Sequence, residues 1–112
     1  MVTDLKYLQQ MTGNDSEVMR EMIELFLTQL SEIQDDIGFL VDSKNWFELS
    51  RLAHKIKSSA LVMGIEQMAA DMRELEVLTK EGQNTDLYPA YIARFHEMAD
   101  LVKADMRKYL DS

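Results

Sequence analysis

The side chains of this chain that could do chemistry are concentrated in Arg51-Leu52-Ala53-His54-Lys55-Ile56-Lys57-Ser58-Ser59-Ala60. An imidazole titrates near neutral pH and is a competent nucleophile. An ammonium one helical turn away would stabilise a phosphoryl group placed on it. If the segment is helical, with Leu49, Ala53, Ile56 and Ala60 facing a core, His54 falls at the edge of the buried stripe. Ser50, Lys57, Ser58 and Leu61 then share that edge, because residues three and four apart are neighbours on a helix. Ser58 and Ser59 are small enough to admit a partner's active site, and their hydroxyls can donate to phosphate oxygens. A His beside a Lys on a helix is, by itself, an ordinary solvated pair, so the surroundings must decide.

The other chemistries fall away one by one. The chain has no cysteine, which removes disulfides, thiolate metal sites and a Cys nucleophile. It has two histidines, His54 and His96, too few for a multi-histidine metal centre. A di-iron bundle needs Glu-x-x-His repeats, but Arg51 and Ala93 stand three residues before the two histidines. No nucleophile elbow and no Gly-rich phosphate loop is present, so a self-contained kinase or ATPase is not expected. His96 has Ala93, Glu97 and Asp100 around it and no cation to support a phosphate.

Charge narrows the partners. The net charge of −8 disfavours nucleic acid and anionic membranes. No apolar run approaches the roughly 20 residues that span a bilayer, and the expectation is a cytoplasmic protein. Residues 44–80 nevertheless hold six bases against five acids, whereas residues 1–43 hold two bases against nine acids. The middle of the chain is a cationic island around His54, suited to receiving negative charge.

Helices must position these groups. One Pro and four Gly in 112 residues are too few for a turn-rich β-fold. Val18, Met22, Leu25, Phe26, Ile33, Ile37 and Leu40 follow helical spacing and predict a helix over residues 15–42, capped by Asn14 with Glu17 reaching back. Asp42-Ser43-Lys44-Asn45 is a turn and a second cap. Trp46, Leu49, Ala53, Ile56, Ala60 and Met63 then mark one stripe, which Gly64 ends. Ile65, Met68, Met72, Leu75 and Leu78 mark a third helix that stops at Glu81-Gly82-Gln83-Asn84. The last helix begins near Asp86, tolerates Pro89 in its first turn, and buries Tyr91, Phe95, Met98, Val102, Met106 and Leu110. A short segment at Thr3–Met11 should lie over one end. Short connections favour antiparallel neighbours, so the predicted fold is all-α: an up-down four-helix bundle with an additional N-terminal helix, forming one domain over residues 1–112.

Ala53-His54-Lys55-Ile56-Lys57-Ser58-Ser59-Ala60, followed by Gly64, Met68 and Leu75-Glu76, resembles the histidine-containing phosphotransfer (HPt) domain. That signature is a His, a Lys three residues on, a Gly beside it and a second Gly ten residues after the His. The opening Leu-x-x-Leu segment, Phe26-Leu27, Trp46 and the long final helix extend the resemblance over the whole chain. It implies His54 as phosphoacceptor, Lys57 as the adjacent charge and Gly64 as the break between the central helices. It implies Glu76 as the residue hydrogen-bonded to the imidazole, with Ser58 and Leu61 on the binding face. Ser58 departs from the family, which usually has Gly there.

By that resemblance the chain is a phosphoryl carrier without turnover of its own. It would relay a phosphoryl group between aspartates of receiver domains, in response regulators or a hybrid sensor histidine kinase. The chain needs no cofactor, magnesium being expected on the receiver. One exposed nucleophile on a complete bundle suggests a monomer. The alternative is a helical adaptor that binds a receiver or kinase without phosphorylation.

Overall fold

The computed structural model describes residues 3–111. Its helices are α1 (Lys6–Met11), α2 (Ser16–Asp42), α3 (Trp46–Val62), α4 (Glu66–Lys80) and α5 (Tyr88–Asp111), with a 3-10 turn at Thr85–Leu87. Strands are absent among the described residues. Each long helix packs on its sequence neighbour, and α5 returns to α2, which closes an up-down four-helix bundle. The molecule is 42 Å long, close to the ~40 Å that a helix as long as α2 spans. None of the helices formed by the described residues is long and apolar enough to cross a membrane.

The core runs the length of the bundle: Phe26, Leu30 and Ile37 from α2, Leu49, Ile56 and Ala60 from α3, Met68, Met72 and Leu75 from α4, Phe95, Val102 and Met106 from α5. Each fully buried Leu, Ile, Phe or Met contributes about 1.5–3 kcal/mol, against about 0–1 kcal/mol for an exposed ion pair. Packing, not surface charge, holds the helices together.

Two local expectations change. Asn14 is not the cap of α2; it takes a left-handed conformation (φ 63°) after Gly13, also left-handed. Asp15 caps instead, accepting from the amides of Glu17 and Val18 at 3.1 and 3.2 Å. Along α2, Val18 and Leu25 are exposed, and Met19, Ile23 and Leu30 hold the buried positions. Apolar neighbours at 18–19, 22–23 and 25–26 leave the phase ambiguous, and α5 decides it: the Tyr109 hydroxyl reaches the Met19 sulfur at 3.8 Å. The last helix starts at Tyr88, two residues later than expected, because Thr85–Leu87 wind as a 3-10 turn first.

The N-terminal segment closes the end of the bundle where α3 meets α4. Leu8 is fully buried, and the Asp4 amide donates to the Gly64 carbonyl at 3.1 Å. Gly64 has φ +68°, and a Cβ there would collide with the Asp4 backbone. Glycine is required at this turn twice over, for its dihedral and for the close approach.

Candidate functional site

The α3 stripe of Leu49, Ala53, Ile56 and Ala60 is buried, and this rotates His54 to the border between α3 and α4. Its side chain is 59% exposed. From α4, the Glu76 carboxylate places Oε2 2.8 Å from His54 Nδ1. The other carboxylate oxygen accepts from Lys57 Nζ at 3.0 Å. Lys57 Nζ also lies 3.4 Å from Nδ1. A carboxylate at 2.8 Å calls for a proton on Nδ1, so Nδ1 donates, and in the neutral ring the lone pair is then on Nε2. Among the described residues Nε2 has no hydrogen-bond partner, and it belongs to an exposed ring.

The electrostatics of Glu76 favour its charged form. Burial pushes its carboxyl up, but hydrogen bonds from Lys57 and His54, and the charges of both, outweigh it and hold the group below its ordinary value. The backbone of the same residue is also held. Ser50 Oγ donates to the Glu76 carbonyl at 3.3 Å, and Thr79 Oγ1 donates to the Leu75 carbonyl at 2.7 Å with a longer contact of 3.2 Å to that of Glu76.

Of the residues singled out in the sequence, His54, Lys57 and Glu76 meet in one contact cluster. Lys57 is not a free charge beside the imidazole: it is paired with Glu76, on the Nδ1 side of the ring. Ser58 and Leu61 remain exposed on α3, Leu61 by 57%. Gly64 lies about 15 Å along the helix axis from His54 and contacts Asp4, not the imidazole. Ser50 shares the His54 edge as its spacing requires, but its burial and its bond to Glu76 depend on α4 and have no signal in the sequence. No group of three or more His, Asp or Glu side chains among the described residues could hold a metal ion.

The profile of the Hpt domain family matches residues 21–105, most of the chain and all of the site. The chain belongs to the Hpt domain family. As an Hpt domain it has a phosphotransfer role in two-component signalling, a family of carrier modules that interact with receivers or kinases. Its fold is similar to that of the Hpt domain of a sensor hybrid histidine kinase from Shewanella, with a TM-score of 0.82 over 98% of this chain and 94% of that one. The two sequences are 17% identical, so the likeness is one of fold. No curated protein sequence matches the chain.

Proposed function

We propose that this Hpt domain relays a phosphoryl group between receiver-domain aspartates, with Nε2 of His54 as the acceptor. The observation that carries the reading is the 2.8 Å contact between Nδ1 and the Glu76 carboxylate, which leaves the exposed nitrogen as the nucleophile. In the transfer, the Nε2 lone pair attacks the phosphorus of an aspartyl phosphate. The P–O bond to the aspartate breaks, and its electrons leave with the carboxylate. The ring keeps its Nδ1 proton and becomes a cation, which Glu76 faces directly. Transfer to the next receiver runs the same step in reverse, so His54 ends as it began. Lys57 anchors Glu76 at rest and lies close enough to share its charge with an incoming phosphoryl group.

The receiver is expected to bring magnesium and the acidic pocket. This chain brings the nucleophile and the docking face. Ser58 and Leu61 lie beside His54 on α3, and His54 itself lines a groove of about 1000 Å³ with Phe39 from α2, Phe47 and Ser50 from α3 and Glu76 from α4. Apolar side chains beside an exposed nucleophile suit a protein partner better than a small substrate.

Incubation with receiver domains charged by radiolabelled acetyl phosphate tests the reading. The expected result is acid-labile, base-stable label on His54. Tight receiver binding with no label would leave the chain an adaptor and overturn the proposal.

A further inference from the structure

Glu76 is gripped by three residues of one α3 stripe: Ser50 on its carbonyl, His54 and Lys57 on its carboxylate. These stand at positions i, i+4 and i+7, so they share a face. Two of the three grips depend on charge, and charge is what phosphoryl transfer changes. The Ser50 bond joins two neutral groups and is unaffected.

Ser50 is also conspicuous by its setting. It is 7% exposed, between Leu49 and Ala53 of the core-facing stripe, where a hydroxyl is unfavourable unless it is hydrogen-bonded. Its partner is a backbone atom at 3.3 Å, so the bond depends on where the α4 chain sits and not merely on where a side chain points. One residue of slide is ~1.5 Å, enough to carry a 2.8 Å contact beyond hydrogen-bonding range.

We infer that Ser50 is a positioning residue for phosphoryl transfer: its bond to the Glu76 carbonyl sets the register of α4 against α3 at which the Glu76 carboxylate meets Nδ1 of His54. The inference rests on the reading of His54 as the acceptor, and it assigns Ser50 no contact with the phosphoryl group.

The test compares Ser50→Ala, Ser50→Thr and Ser50→Val in the full chain. Thr and Val have the same shape, so their difference isolates the hydroxyl from the added methyl group. The first readout needs no phosphodonor: ¹⁵N NMR of the His54 ring reports which nitrogen carries the proton. The second is the rate of labelling by phosphoramidate, which transfers its phosphoryl group to Nε2 and releases ammonia. Ser50→Ala and Ser50→Val should lose the single Nδ1–H form and label about tenfold more slowly, while Ser50→Thr keeps both properties. A Ser50→Ala variant with the wild-type ring signature and rate overturns the inference, as does a Thr variant no better than Val. If wild-type His54 takes no label at all, the relay reading fails, while the ring signature still decides whether Ser50 positions Glu76.

Discussion

The two histidines of this bundle sit in opposite hydrogen-bonding surroundings. On α3, His54 Nδ1 faces a carboxylate at 2.8 Å. On α5, His96 Nδ1 faces the amide nitrogen of Gln34 at 3.4 Å. That same nitrogen donates to Asp100 at 3.3 Å, which fixes the amide's orientation, so Nδ1 of His96 accepts. In the neutral ring this places the proton of His96 on Nε2 and turns the Nδ1 lone pair toward Gln34. His54 has the reverse arrangement, with its lone pair on the open side. Neighbouring charge differs as well: Lys57 stands beside His54, whereas Asp100 shares Gln34 with His96. On the proposed reading, the two rings differ in reactivity because of which nitrogen the neighbour takes, not because of the presence of an imidazole.

The largest effect should come from deleting each ring. His54→Gln should abolish phosphoryl acceptance with little change in helicity or thermal midpoint, since the residue is exposed. His96→Gln should accept label as the wild type does. Label on His96 in the His54 variant would erase the contrast between the two sites.

A smaller effect is expected when His54 loses its orienting partner. Glu76→Ala should slow acceptance about 10–100-fold and leave the ring proton divided between the two nitrogens in NMR spectra. The same variant gives a test in pH. A carboxyl held below its ordinary value contributes stability that is present above the unfolded value of about 4.5 and is lost as pH falls through the folded value. The thermal midpoints of wild type and Glu76→Ala should therefore converge as pH drops from about 6 to about 3. A gap that stays constant across that window would mean that Glu76 is not held by charge.

The smallest effect belongs to Ser58. Ser58→Gly should keep or raise the transfer rate while lowering stability by a few tenths to roughly 1 kcal/mol, because Gly is the poorer helix former. A marked fall in rate would show that the serine hydroxyl contributes to transfer beyond leaving room for the partner.

Local signals were legible where one stretch of chain decides the outcome. Helix α2 was expected at 15–42 and runs from Ser16 to Asp42. Asn45 caps α3 by accepting from the Glu48 amide, as its place before Trp46 suggested. The phase of α2 was less legible, since its apolar doublets fit two stripes and α5 makes the choice. The site divides in the same way. The edge placement of His54 and Lys57 follows from spacing within α3. The contact with Glu76 spans two helices and came from family resemblance alone. The pairing of Lys57 with Glu76, the bond from Ser50 and the Asp4 contact that requires Gly64 were out of reach, because each depends on how separate helices meet.

Every group that orients His54 lies between Ser50 and Thr79, on two adjacent helices joined by a tight turn. That arrangement bears on the order of folding. Closing a short loop loses less chain entropy than closing a long one, and contacts local in sequence form fastest. The α3–α4 hairpin is thus favoured to zip ahead of the tie between Asp4 and Gly64, which must gather some sixty residues of chain. The proposed acceptor site thus belongs to the part of the molecule whose contacts close the shortest loop.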